Sequence, residues 1–181
     1  MILLDKTYFQ GDLTLPSVSK SEREGLGAAM QMIGENDLNY FLARYEPECL
    51  KKILGETLYK AFIAGLTEEP LLDKWSDLFD ALFRHEGPFS FSPVANYVYY
   101  YVMRDHRSKT TQKGEVTEDA SFSTNRNNEF KMINLWNDMC RQVLEFRKAF
   151  LHAKWDLYKD DAGNLDVRKY QIYEPINSLD V

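Results

Sequence analysis

Cysteine and histidine are scarce: the chain has two of the first and three of the second in 181 residues. Cys49 and Cys140 both sit among apolar residues at helical spacing, which favours reduced, buried thiols over a disulfide scaffold or a metal site. His85, His106 and His152 lie far apart, and none has a second ligand at metal spacing. Asp105 and His106 are neighbours, and adjacent residues on a helix do not face each other. The motifs of common enzymes are missing as well. There is no nucleophile elbow and no P-loop, and Gly25-Leu26-Gly27 lacks the third glycine and the preceding strand of a dinucleotide site. Asp160 to Asp166 lacks the ligand spacing and closing glutamate of a calcium loop. Glu68-Glu69, Glu118-Asp119 and Asp160-Asp161 read as solvated or helix-entry acids. The residues point to a non-enzymatic protein with no cofactor and no metal.

Long apolar runs are absent too, so no membrane span is expected. Met1 to Lys6 has no basic stretch, and an acid interrupts its apolar patch, which does not fit a secretory signal. A net charge of −6 argues against a broad grip on nucleic acid, which needs Lys and Arg against phosphates. Basic clusters survive at Arg104, His106, Arg107 and Lys109, and at Arg141, Arg147 and Lys148. The first ends a helix, where cations offset the macrodipole.

What is present is apolar helical pattern, rich in aromatics at 14% of residues. The length suits one domain with a real core. Residues 1–19 read as an extended arm, broken at Gly11 and Pro16. Helical signal starts near Ser21 and is weakened by Gly25, Gly27 and Gly34. Asn36 or Asp37 is a candidate cap for a short helix, and Pro47 is expected to restart the chain. Leu50, Ile53, Leu54, Leu58, Phe62 and Ile63 follow at helical spacing, with a break at Gly55 and a stop at Gly65. Glu69-Pro70 is expected to open the next helix. Its stripe, Leu71 to Phe83, ends at Gly87-Pro88.

Ser92-Pro93 opens the most telling stretch, with serine at the cap and proline in the first helical position. Val94, Tyr97, Val98 and Tyr101 fall on one face; Tyr99, Tyr100 and Met103 fall on roughly the opposite one. A helix apolar all round must be enclosed, by its own domain or by another chain. Buried tyrosine hydroxyls need partners, which suits a contact surface. Both readings stay open. Residues 108–128 are polar and read as a flexible loop, with Phe122 its one large apolar side chain. Residues 129–160 read as one long helix whose apolar arc spans roughly 200°, wider than the ~100° stripe of a surface helix. Residues 161–181 read as a turn and an extended tail that packs on its own chain or on a neighbour's. The fold class is therefore all-α: a single domain with a helical region over 20–107, a long C-terminal helix, a long polar loop and extended terminal arms.

Taken together, Leu54-Gly55-Glu56-Thr57-Leu58-Tyr59-Lys60-Ala61-Phe62-Ile63-Ala64-Gly65-Leu66, Lys74-Trp75, Ser92 to Tyr101, Arg104, Thr110 to Val116 and Trp136-Asn137-Asp138-Met139 carry a resemblance. Over residues 36–155 the chain resembles small head–tail connector, or head-completion, proteins of tailed phages and prophages. The resemblance implies a mainly helical virion subunit, made in the bacterial cytoplasm and not secreted. It implies a homo-oligomeric ring between portal and tail proteins, at the head–tail junction, with DNA met only by passage through a lumen. Candidate subunit or partner contacts are Tyr97, Tyr99, Tyr100 and Met103 on the tyrosine helix, and Thr110, Thr111, Gln112, Lys113 and Phe122 in the polar segment. The alternative is a cytoplasmic helical adaptor or regulator that binds a partner helix. A third reading is an enzyme whose site assembles from distant residues.

Overall fold

A computed structural model describes the backbone of residues 1–15, 28–111, 114–117, 124–159 and 174–176. The fold is mainly helical. In chain order the described elements are α1 (Ala28–Leu54), α2 (Glu56–Gly65), α3 (Asp73–Leu82), a hairpin of β1 (Arg84–Glu86) and β2 (Phe89–Phe91), α4 (Pro93–Arg107), a second hairpin of β3 (Ser108–Thr111) and β4 (Gly114–Thr117), α5 (Thr124–Glu145) and α6 (Trp155–Tyr158). The predicted turn at 160–164 and the tail residues Tyr170, Ile172 and Tyr173 lie outside the described residues, as do Pro16, Gly25 and Gly27.

The tyrosine helix α4 is the centre of the core. Ser92 Oγ accepts the Val94 amide at 3.1 Å, and Pro93 follows as the first helical residue, where its missing N–H costs nothing. Val94, Ala95, Tyr97, Val98, Tyr99 and Val102 are all buried, between α1 on one side and α5 on the other. The protomer itself therefore encloses these residues, while Tyr100, Tyr101 and Met103 on the same helix stay half-buried.

α1 runs unbroken through Pro47, where a restart was expected. Proline removes the hydrogen bond to the Ala43 carbonyl and its ring crowds that carbonyl, at a cost of about 3 kcal/mol. Burial of Leu38, Phe41 and Leu42 before it and of Cys49, Leu50 and Ile53 after it stabilises the helix by about 1.5–3 kcal/mol for each large side chain. The expected break at Gly55 is real, with φ +86°. α2 ends at Gly65, where any side chain would run into the Trp75 indole. α3 begins at Asp73 rather than at Glu69-Pro70, and it ends at Leu82. Gly87-Pro88 instead forms the turn of the first hairpin, with Gly87 at φ +62°.

The predicted long C-terminal helix is split. α5 starts at Thr124 and gives way to a π-helical segment, Phe146–Leu151, then a turn, then α6. The wider π turn goes with Arg147 being buried against the end of α1, where its Nη2 donates to the carbonyls of Lys52 at 2.8 Å and Ile53 at 3.2 Å. A cation at a helix C-terminus is well matched to the macrodipole. Beyond it, Tyr158 donates to the Lys74 carbonyl at 2.8 Å and closes this end against α3.

The first arm is not a loose strand. It makes two 3-10 turns, Lys6–Tyr8 and Gly11–Leu13, and sends Leu4, Tyr8, Phe9, Leu13 and Leu15 into the core. The segment expected as a polar loop contains the β3–β4 hairpin and the start of α5.

Candidate functional site

Three surface regions gather chemistry. The first is the face where α1 meets the C-terminal half of α4. Tyr97 Oη donates to Glu48 Oε1 at 2.8 Å, and Lys52 Nζ donates both to that carboxylate at 2.6 Å and to Tyr97 Oη at 3.1 Å. Burial alone would raise the Glu48 carboxyl. The hydrogen bonds from Lys52 and Tyr97 outweigh it and hold the group below its ordinary range. Burial, then the hydrogen bond to Tyr101 and the nearby carboxylate, push Tyr97 far upward, so it stays a neutral donor. Tyr45 stacks on Tyr101 at 4.2 Å. The hollow beside them, about 440 Å³, is lined by Arg44, Glu48, Arg104 and Asp105. Two cations and two acids leave it without the single-sign field that would gather a charged ligand.

The second region is the groove under the β1–β2 hairpin. Register pairs Arg84 with Phe91, His85 with Ser90 and Glu86 with Phe89. Side chains alternate along a strand, so His85 and Ser90 share one face while Phe89 and Phe91 share the other. The inner pair ties the hairpin to the arm: His85 Nδ1 lies 3.0 Å from Ser90 Oγ, and Nε2 lies 3.2 Å from Tyr8 Oη. Burial first, then Asp5 and Glu46, raise the Tyr8 phenol to about 12. The outer pair faces solvent, Phe89 at 54% and Phe91 at 43% exposure. Beside it a groove of about 290 Å³ runs between Leu13, the two phenylalanines, Asn96, Leu135 and Asp138. The Asn96 amide closes its floor, donating to the Leu135 carbonyl at 3.2 Å and to Asp138 Oδ2 at 3.3 Å.

The third region is the outer surface of α5, where the chain's tail is seated. Trp136 Nε1 donates to the Glu174 carbonyl at 3.0 Å. The Asn137 side chain donates from Nδ2 to the Ile176 carbonyl at 3.0 Å, and its Oδ1 accepts the Ile176 amide at 2.8 Å. One side-chain amide thus reads both backbone groups of one tail residue. Tyr100 props the Trp136 ring at 4.7 Å.

Of the predicted contact residues, Tyr97 and Tyr99 are sealed in the core, so they offer no surface to a neighbour. The physical reason is that α1 and α5 flank the helix on both sides. Tyr100 and Met103 are half-buried. Thr110 and Thr111 belong to β3. Gln112, Lys113 and Phe122 lie outside the described residues. Phe89, Phe91 and the buried carboxylate of Glu46 are not marked out by the sequence, and Asn137 enters there only within the Trp136-Asn137-Asp138-Met139 stretch of the resemblance. Phe-Ser-Phe after Gly-Pro is a period-2 signal for a hairpin strand. Glu46 falls at helical spacing between Leu42 and Leu50, a position that predicts a buried acid.

Among the described residues no helix is long and apolar enough to cross a membrane, and no group of three His, Cys, Asp or Glu could hold a metal ion. No protein-family model matches the chain, and the curated proteins and solved structures compared with it yield no significant match.

Proposed function

We propose that the chain is a structural subunit of a tailed-phage particle, of the head–tail connector kind, that assembles with copies of itself and with portal and tail proteins. Its working location would be the head–tail junction, with DNA passing through a lumen. The resemblance over residues 36–155 supplies the class. The observation that carries the assembly part is the outer face of the first hairpin. Two phenylalanines held side by side in water, flanked by Arg84 and Glu86 and bordered by a groove, make the kind of apolar patch with a polar rim that marks protein contact. The β3–β4 hairpin adds a second support. It springs directly from the end of α4, and two strands alone are marginally stable in water, which suits an arm that grips another protein.

Sedimentation velocity over a range of concentrations, alone and with the portal protein encoded in the same genome, tests the reading. The wild-type chain is expected to form species larger than a monomer and to co-sediment with portal. Phe89→Ser with Phe91→Ser removes two rings that are about half exposed, so each is expected to cost less than the roughly 1.5–3 kcal/mol of a fully buried phenylalanine. This double variant is expected to keep its fold and its self-association and to lose portal. A strict monomer at every concentration, with and without portal, would overturn the reading. A stable dimer indifferent to portal would favour the helical adaptor.

A further inference from the structure

The tail is held by the wrong kind of contact for a permanent part of the core. Glu174 and Pro175 are exposed and Ile176 is half-buried, yet three hydrogen bonds from two consecutive α5 side chains address this short stretch. All three go to backbone atoms. Recognition through the backbone works for any strand of the same shape presented at that spot, including the identical strand of another molecule. We propose that in the assembled state the cradle formed by Trp136 and Asn137 receives the Glu174–Ile176 segment of a neighbouring copy of this chain. The inference rests on the structural-subunit reading above and names the contact that links one copy to the next.

Geometry allows the exchange. The cradle lies up to about 33 Å back along the helical C-terminal region from Tyr158, at ~1.5 Å per residue. Residues 160–173, which connect the two, can reach about 50 Å when extended. That exceeds what the same-chain contact needs and matches the ~40 Å width of a domain of this size. The hydrogen bonds are identical in the two arrangements, so exchange loses none of them, as in domain swapping generally. Tail and cradle are different surfaces, so each copy gives its tail to one neighbour and receives one from the other. Such a heterologous contact generates a ring when its rotation closes. The cradle is also pre-set: Tyr100 at 4.7 Å and Tyr97 at 5.9 Å fix the Trp136 ring, so little ordering remains for the incoming strand to impose.

Two full-length variants test this. Asn137→Ala spoils the cradle and leaves the tail sound; Ile176→Pro removes the tail N–H that Asn137 accepts and leaves the cradle sound. Neither variant alone holds a sound tail–cradle pair in either arrangement, so the equimolar mixture is expected to associate several-fold more tightly than either variant by itself. An equimolar mixture is expected to form a dimer that does not grow, because one sound tail meets one sound cradle and the other pair is defective. Dimers confined to the mixture also show that both variants are folded. A mixture that stays monomeric where the wild type assembles overturns the exchange and leaves the structural-subunit reading standing, as does a mixture that associates no more tightly than either variant alone. A wild-type chain that is monomeric throughout overturns both.

Discussion

The two ends of this chain are fastened by the same device with opposite depth. At the N-terminal end the Glu46 carboxylate accepts the Leu3 and Leu4 amides at 2.8 and 2.9 Å. At the C-terminal end the Asn137 amide takes both backbone groups of Ile176. Glu46 is only 1% exposed, and the arm it holds carries five buried side chains into the core. Asn137 sits on an open helix face, and the strand it holds is mostly in water. Hydrogen bonds of similar number and length therefore do different work. Apolar burial makes the first end part of the fold, and its lack leaves the second free to exchange partners.

The largest expected effects separate the ends by stability. Leu15→Ala should cost about 2–5 kcal/mol, as truncation of a fully buried leucine does. Glu46→Ala should cost about 2–4 kcal/mol, because it strands the Leu4 amide away from water and leaves Leu3 half-satisfied. Asn137→Ala should cost no more than about 1 kcal/mol, since water can replace it. Urea titrations with unchanged slope measure all three. An Asn137→Ala loss equal to that of Glu46→Ala would erase the contrast.

This contrast also explains what could be read in advance. Helix starts and stops written in local chemistry were legible: Ser92-Pro93, the Gly55 break, the Gly65 end. Features decided by tertiary packing were not. Pro47 looks like a breaker, and only the buried residues on both sides of it keep α1 continuous. The arm's Leu4, Tyr8 and Leu13 have no periodicity because 3-10 turns, not a regular helix, aim them inward. A helix that is apolar all round makes Tyr97 and Tyr99 candidate contacts on sequence alone. That pattern does not say whether the cover comes from α1 and α5 or from another chain. The tail cradle is still less visible, since an asparagine that binds backbone leaves no pattern in sequence.

Hydrogen exchange sharpens the comparison without any mutation. The Leu4 amide should exchange only with global unfolding, and the Ile176 amide through a local opening of much lower free energy. Protection of Ile176 should rise with protein concentration if neighbours supply the tail. Equal protection of the two amides would contradict the division into fixed and exchangeable ends.

Acidity gives a smaller, signed difference. Burial raises the Glu46 carboxyl above its ordinary 4.5, against the opposing pull of its backbone hydrogen bonds. A group whose folded value is raised contributes stability that is full below the unfolded value and is lost as pH rises through the folded one. The stability gap between the wild type and Glu46→Gln should therefore narrow as pH climbs from below 4.5 toward neutrality. Asn137 does not titrate, so the gap between the wild type and Asn137→Ala should stay flat over the same range. A flat Glu46 gap would mean that the carboxylate is as well solvated folded as unfolded.

The smallest effect reaches the tail through the tyrosine that packs on its tryptophan anchor. Tyr100 packs on Trp136 at a tilt of 52°, and Trp136 in turn holds the Glu174 carbonyl. Tyr100→Leu keeps apolar bulk but loses the aromatic contact, a term of about 0.5–1.5 kcal/mol. Thermal stability should move by only that amount, yet the Ile176 amide should exchange measurably faster because the indole that flanks it is no longer fixed. The Leu4 amide should be unaffected beyond the global change. Faster exchange at both ends in equal measure would show that Tyr100 belongs to the common core and has no special tie to the cradle.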